Sequence, residues 1–127
     1  MKVALDTNAY TSFMRGDVSC VQVVRSAAVI YLPLFVLAEL RAGFAAGSQT
    51  STNLANLQRF LNTPRVEVML PDEGTANHYA QLYLYLRKHG TPIPTNDLWI
   101  AALVLQRNLI LCTSDVHFQN IPQLPTC

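Results

Sequence analysis

Asp97-Leu98-Trp99-Ile100-Ala101-Ala102-Leu103-Val104-Leu105-Gln106 contains eight consecutive apolar residues, which would cover every side of a helix. A helix that is apolar all round is normally buried. The run is too short to cross a bilayer, which takes about 20 helical residues. We therefore expect a central helix covered by other elements, with Asn96 as its N-cap residue.

Four short segments rich in Val, Ile and Leu predict strands, at residues 3–5, 29–32, 66–70 and 109–113. Three of them are apolar on both faces, as in a parallel sheet that is covered by helices on each side. The segment Val66-Glu67-Val68 alternates between apolar and polar residues. This alternation indicates a strand nearer to an edge of the sheet.

Helical patterns separate these strands. They cover residues 8–15, 18–28, 35–46 and 54–61, and a longer helix begins at Asp72 and ends before Gly90. An apolar stripe on this long helix is expected to comprise Ala76, Tyr79, Ala80, Tyr83 and Leu86. The order of the elements predicts an α/β fold, a three-layer α/β/α sandwich with right-handed crossovers around a parallel sheet of four or five strands.

The composition favours one domain over residues 1–127, because half of the residues are hydrophobic and the mean hydropathy is +0.20. Lys2 is followed almost directly by Asp6, without the apolar stretch of a signal peptide, so we expect a cytoplasmic protein without a membrane span. The net charge of +1 does not by itself indicate a nucleic-acid partner. Three cysteines without a C-x-x-C pair are interpreted as free thiols.

Two carboxylates follow predicted strands. Asp6 comes directly after the first strand, and Asp115 lies two residues beyond the last. Ligand sites of open α/β sheets lie beyond the carboxyl ends of the strands, so both side chains would face the same edge. The alternative for each is a local role, because Asp is common in turns and as a helix N-cap.

Two further carboxylates lie on predicted helices. Glu39 falls on the apolar face of its helix, where an ionised group needs a partner, and Arg41 points to another side. Gly43, one turn later, leaves space for a ligand or ion, although a structural ion pair is the alternative. Asp97 lies in the first turn of the apolar helix, where a negative charge is favourable in any case.

Together, these four acidic residues would project toward one edge of the sheet, and no Lys or Arg is adjacent to any of them in the sequence. Crowded carboxylates repel one another unless a cation is bound. A set of oxygen ligands suits Mg²⁺ or Mn²⁺, ions that assist phosphodiester hydrolysis. Nine basic and four acidic side chains would remain elsewhere, a balance compatible with binding to a nucleic acid.

Four motifs resemble those of PIN-domain ribonucleases: Asp6-Thr7-Asn8, Ala38-Glu39-Leu40-Arg41-x-Gly43, Pro94-x-Asn96-Asp97-x-x-Ile100-Ala101-Ala102 and Thr113-x-Asp115-x-His117-Phe118. They keep the family's order over nearly the whole chain and look most like VapC-type toxins of toxin–antitoxin pairs. The resemblance implies a PIN-like fold and a Mg²⁺- or Mn²⁺-dependent endoribonuclease. It also implies an RNA substrate, a homodimer and a cognate antitoxin protein.

The same resemblance implies roles for individual residues. The residues expected to bind the metal and to hydrolyse RNA phosphodiesters with metal-activated water are Asp6, Glu39, Asp97 and Asp115. The polar residues expected beside them are Asn8, Asn96 and Thr113. The residues 121–127 leave little room for the family's last edge strand, so a fifth strand is doubtful.

Other interpretations remain open from the sequence alone. Arg15 and Arg41 are candidates for contact with RNA phosphates or with a partner, and a solvated helix face is the alternative. For His117 we expect backbone hydrogen bonding in a turn rather than a role as general base. An inert PIN-like module that binds RNA or protein is a second candidate function. A phosphatase of the haloacid dehalogenase type, with Asp6 as nucleophile, is disfavoured because Asn8 replaces the second Asp of that motif.

Overall fold

A parallel sheet forms the centre of the computed structural model, which describes residues 1–127. Its strands are β1 (Lys2–Leu5), β2 (Val29–Pro33), β3 (Val66–Met69) and β4 (Ile110–Cys112), in the order β3-β2-β1-β4. Val3 of β1 pairs with Ile30 on one side and with Ile110 on the other. All four predicted strands are confirmed, as is the edge position of β3.

Six α-helices cover the sheet: α1 (Thr7–Met14), α2 (Val18–Ser26), α3 (Leu34–Ala46), α4 (Thr50–Leu61), α5 (Glu73–Lys88) and α6 (Thr95–Gln106). A 3₁₀-helix, Val116–Asn120, follows β4. The chain reverses its direction across the sheet after β3. Because crossovers between parallel strands are right-handed, this reversal puts α5 and α6 on the face opposite α1–α4. The predicted α/β/α sandwich is confirmed, and none of the helices has the length and apolarity needed to span a membrane.

The helix α6 is the centre of the hydrophobic core, as the apolar run predicts. Its side chains from Ile100 to Val104 are almost completely buried. Trp99 stacks on Phe35 of α3 and packs against Tyr79 of α5. The prediction of Asn96 as N-cap is wrong, because the helix begins at Thr95, two residues earlier than expected, and Pro94 occupies the N-cap position without a side-chain cap. Asn96 therefore lies inside the first turn and is exposed.

The predicted apolar stripe of α5 is wrong in part. Ala76, Ala80 and Tyr83 are exposed, and the buried face instead contains Thr75 and Leu82 together with Leu86. A hydroxyl group can be buried at Thr75 because it is hydrogen-bonded to the backbone N–H of Asp72 and to the side chain of Gln106 on α6. These bonds fix which face of α5 meets α6.

The start of α4 and the C-terminal segment bear on two further sequence expectations. The helix α4 begins at Thr50, four residues earlier than expected, where the Thr50 hydroxyl donates to the Phe44 carbonyl at 2.6 Å. At the other end of the chain, the segment 125–127 runs beside β4 and makes one parallel bridge, between Leu111 and Thr126. The fifth strand is thus reduced to a single bridge.

Candidate functional site

One cavity of about 140 Å³ brings together side chains from four separate parts of the chain. It lies beyond the carboxyl end of β1, at the edge where ligand sites of α/β sheets form. Every acidic residue singled out from the sequence lines it. The lining residues are Asp6, Thr7, Asn8, Glu39, Asp97, Ile100 and Asp115.

Asp6 is buried and has both carboxylate oxygens hydrogen-bonded. It is the N-cap of α1, and its Oδ1 accepts from the backbone N–H of Ala9 at 2.7 Å. Its Oδ2 accepts from the hydroxyl of Thr113, which follows β4. The side chain is therefore held at the end of β1 by two hydrogen bonds. Asp6 both caps α1 and lies in the cavity at the edge of the sheet.

Glu39 enters the cavity from α3. Its carboxylate is half-buried at the rim and accepts a hydrogen bond from the Thr7 hydroxyl at 2.9 Å. A Cβ atom placed on Gly43 would meet no atom within 4 Å, so the expected space on this side of the helix is present. Glu39 makes no ion pair with Arg41, which leaves the hydroxyl of Thr7 as its hydrogen-bond partner.

Asp97 and Asp115 also line the cavity, and the ring of His117 contacts both of them. The Nδ1 atom of His117 lies 3.1 Å from Asp97 Oδ2 and 3.2 Å from Asp115 Oδ1. Asp115 also accepts from the backbone N–H of His117 at 2.9 Å, so the expected backbone bonding in this turn is confirmed. The backbone N–H of Asp115 in turn donates to the hydroxyl of Thr113 at 3.0 Å.

The lining of the cavity contains four carboxylates and no Lys or Arg. Burial raises the pKa of Asp6, and the charges of Asp115 and Glu39 add to this effect despite the two hydrogen bonds that oppose it. Burial also raises the pKa of Asp97, against the hydrogen bond from His117. No Lys or Arg lies within ion-pair distance of the four carboxylates, and the His117 ring is the only basic side chain that contacts them.

The donor set fits a hard divalent cation. Carboxylate oxygens are the ligands that Mg²⁺ and Mn²⁺ prefer, and a bound cation would relieve the repulsion that raises the carboxylate pKa values. Asp97, Asp115 and His117 can each offer a ligand atom such that the three atoms lie within 4.8 Å of one another. Asp6 and Glu39 line the same cavity as Asp97 and Asp115.

The remaining predicted residues divide into two groups. Asn8 lines the cavity and Thr113 bonds to Asp6, whereas Asn96 is exposed and does not line it. Arg15 and Arg41 are exposed and lie outside the lining.

Sequence reasoning missed two contacts within the motifs themselves. The hydroxyl of Thr7 orients Glu39, and the ring of His117 contacts two carboxylates. The two-residue spacing between Asp115 and His117 was the available signal for the ring contact. The contact with Asp97 depends on tertiary structure and has no local signal.

Comparison with known proteins agrees with the fold and with the motifs. The chain is 38% identical over 96 residues to Ribonuclease VapC1 of Haemophilus influenzae, covering 75% of this chain and 70% of that protein. The structure resembles that of VapBC2 from Rickettsia felis bound to a promoter DNA fragment, with a TM-score of 0.89, 27% identity and coverage of 100% and 98%. It also resembles VapBC-1 from nontypeable Haemophilus influenzae, with a TM-score of 0.87, 29% identity and coverage of 100% and 97%. The PIN domain family model matches residues 3–124, and the chain therefore belongs to the PIN-domain family.

Proposed function

We propose that this chain is an endoribonuclease that acts as the toxin of a toxin–antitoxin pair, with residues 1–127 forming one PIN domain. Its catalytic residues in this proposal are Asp6, Glu39, Asp97 and Asp115. The observation that carries it is the single cavity lined by these four carboxylates, which no Lys or Arg neutralises. The relative from Haemophilus influenzae is named a ribonuclease, which supports RNA as the substrate class.

The proposed cofactor is Mg²⁺ or Mn²⁺, held by the four carboxylates. When bound, such an ion supplies a Lewis acid that stabilises the charge developing on the phosphodiester and lowers the pKa of water. The raised pKa values of Asp6 and Asp97 support this assignment, because they reflect carboxylates held in a buried and negatively charged environment. The second candidate from the sequence, an inert PIN-like module, gives no reason for placing mutually repelling carboxylates in one cavity.

The chain's own residues position the carboxylates. Thr113 and the backbone N–H of Ala9 hold the two oxygens of Asp6, and Thr7 holds one oxygen of Glu39. These bonds fix the direction of each carboxylate before a ligand enters, which lowers the cost of organising the site. Ile100, which is buried, is the one apolar residue that lines the cavity.

The proposed partners are a cognate antitoxin protein and a second copy of this chain. The structures from Rickettsia felis and Haemophilus influenzae are of VapBC proteins, which supports an antitoxin for this chain. Arg15 and Arg41 are exposed and outside any ion pair, and we propose that they contact RNA phosphates or an acidic group of the partner. Tyr83 and Leu84 expose about half of their surface on α5, an apolar face that supports a homodimer.

The proposal is tested by incubating the purified chain with total RNA in the presence of Mg²⁺ or Mn²⁺ and mapping the cleaved ends. The expected result is cleavage that stops when the metal is chelated and is lost in Asp97→Asn. Glu73→Gln is the matched control, because Glu73 lies in the first turn of α5 as Asp97 lies in that of α6. Equal cleavage by Asp97→Asn and the wild type would refute the assignment. Absence of cleavage by the wild type would favour the inert module.

A further inference from the structure

The three cysteines are far apart in the sequence and close together in the fold. Cys20 of α2, Cys112 of β4 and Cys127 all line one cavity of about 130 Å³. This cavity shares no lining residue with the acidic cavity. All three are free thiols in this structure. The sequence, which has no C-x-x-C spacing, therefore gives no sign of this cysteine cluster, because the cluster forms only in the folded chain.

Backbone pairing places two of these thiols side by side. Leu111 N–H donates to the Pro125 carbonyl, and Cys127 N–H donates to the Leu111 carbonyl, both at 2.9 Å. Thr113 N–H then donates to the Cys127 carbonyl at 3.3 Å. This ladder places Cys112 and Cys127 in register on adjacent parallel segments, with their side chains on the same face. Neighbouring strands lie about 4.8 Å apart, within the Cα separation of about 4.4–6.8 Å that a disulfide accepts.

The three thiols differ in access. Cys127 is exposed, whereas Cys112 is 5% exposed. Burial and the neighbouring thiols raise the pKa of Cys112 to about 12, so it remains protonated near neutral pH. Burial, followed by the charge of Asp17, raises the pKa of the half-buried Cys20. An oxidant from solvent therefore meets Cys127 first, and Cys112 is the thiol beside it.

We propose that Cys127 and Cys112 form a reversible oxidation site for hydroperoxides. The Cys127 sulfur attacks one oxygen of the hydroperoxide, so that an S–O bond forms and the O–O bond breaks. The departing oxygen takes up the thiol proton, and a sulfenic acid and water (or an alcohol) result. The Cys112 sulfur then attacks the Cys127 sulfur as the proton of the Cys112 thiol passes to the leaving hydroxyl. The S–S bond forms, the S–O bond breaks, and water leaves. Two thiols lose two electrons and two protons, and the hydroperoxide accepts both.

The disulfide would act on a strand end that contacts Asp6. The carbonyl of Cys112 accepts from the Asp6 backbone N–H at 3.4 Å, and the next residue, Thr113, donates its hydroxyl to the Asp6 carboxylate. Oxidation thus modifies the residue that precedes Thr113. Formation of the disulfide itself does not depend on the proposed nuclease function.

Peptide mapping tests the proposal. The purified chain is treated with hydrogen peroxide, its remaining thiols are alkylated, and it is digested with trypsin without reduction. Residues 108–127 contain both Cys112 and Cys127 and no Lys or Arg, whereas Cys20 lies in the peptide 16–25. We expect the peptide 108–127 to be unalkylated and lighter by two hydrogens, and peptide 16–25 to be alkylated. Cleavage before Asp115 should leave its two parts joined until a reductant is added.

Several results would overturn the proposal: alkylation of both cysteines in 108–127, a crosslink between this peptide and 16–25, or a disulfide-linked dimer. Two variants distinguish loss of the disulfide from loss of the fold. Cys127→Ser changes an exposed side chain and should abolish the link, whereas Cys20→Ser should oxidise as the wild type does. Loss of the link in Cys20→Ser would assign the reaction to a pair that includes Cys20 and would contradict the proposal.

Discussion

Asp6 and Asp72 have the same local role in different surroundings. Each follows a strand of the sheet and caps the next helix, Asp6 through the N–H of Ala9 and Asp72 through the N–H of Thr75. The pKa of Asp6 is raised by burial, whereas the pKa of Asp72 is lowered by hydrogen bonds, first from Gln106 and then from Thr75. Capping alone therefore does not determine how an acidic residue behaves at the edge of this sheet.

The difference lies in what the neighbouring groups offer. Gln106 Nε2 donates to Asp72 at 2.7 Å, and a Cβ atom on Gly74 would lie 2.8 Å from the same nitrogen, so this network is closed and leaves no space. Around Asp6, the other carboxylates line an open cavity, and no Lys or Arg pairs with them. Polar groups that satisfy one another stabilise the fold, whereas crowded carboxylates beside a cavity suit a cation.

The largest expected difference between the two regions is in RNA cleavage. Asp6→Asn should reduce the rate at least about 100-fold, a loss of about 2.7 kcal/mol of transition-state stabilisation, because a charged metal ligand is removed. Asp72→Asn should change the rate little. Asn caps helices as well as Asp does, so both variants should fold. Initial rates on one labelled RNA measure the effect. Equal rates for the two variants would show that Asp6 and Asp72 do not differ in function.

The second expected difference is in stability. Thr75→Val removes a buried hydroxyl, so the Asp72 N–H and the Oε1 atom of Gln106 each lose the hydrogen bond that this hydroxyl makes. Such a change costs about 1–3 kcal/mol of the free energy of unfolding. Urea denaturation measures it, and the RNA cleavage rate of the folded variant should stay near that of the wild type. A stability loss below a few tenths of a kcal/mol would mean that this network does not hold α5 on α6.

The smallest expected effect concerns the charge of Asp97 in the absence of metal. Its pKa is raised in the folded state, chiefly by burial, so the folded chain holds the proton more tightly than the unfolded chain does. The charged carboxylate therefore lowers stability above the raised pKa, and the penalty disappears as the pH falls toward the unfolded value of 3.8.

With metal chelated, Asp97→Asn should melt slightly above the wild type at pH 7. Its advantage should shrink as the pH is lowered through the raised pKa of Asp97. Thermal scans at several pH values check both statements. A variant that melts lower than the wild type at pH 7 would show that the contact with His117 outweighs the repulsion.

The sequence was sufficient for the strands and for α6, because apolar runs of these lengths record burial directly. It was insufficient for the face of α5. Ala76, Ala80 and Tyr83 are apolar yet exposed, and Thr75 is polar yet fully buried. The burial of Thr75 depends on Gln106, 31 residues away, and composition does not record that hydrogen bond.

At the candidate site, the four acidic positions could be predicted because each lies at a strand end or in a recognisable motif. The side-chain partners could not be predicted in the same way. His117 reaches Asp97 across 20 residues of sequence, and Thr113 reaches Asp6 across 107. The cysteine cluster depends in the same way on the pairing of residues 125–127 with β4. Local sequence patterns were enough to predict the helices and strands, whereas these side-chain contacts depend on the tertiary structure.

Titration of Mn²⁺ into the metal-free chain, followed by the electron paramagnetic resonance signal of free Mn²⁺, tests the central claim most directly. The expected result is loss of the free-ion signal with the wild type and with Asp72→Asn, and its retention with Asp6→Asn and with Asp97→Asn. An unchanged signal with the wild type would contradict a divalent metal site at the four carboxylates. Equal binding by all four proteins would place the ion elsewhere.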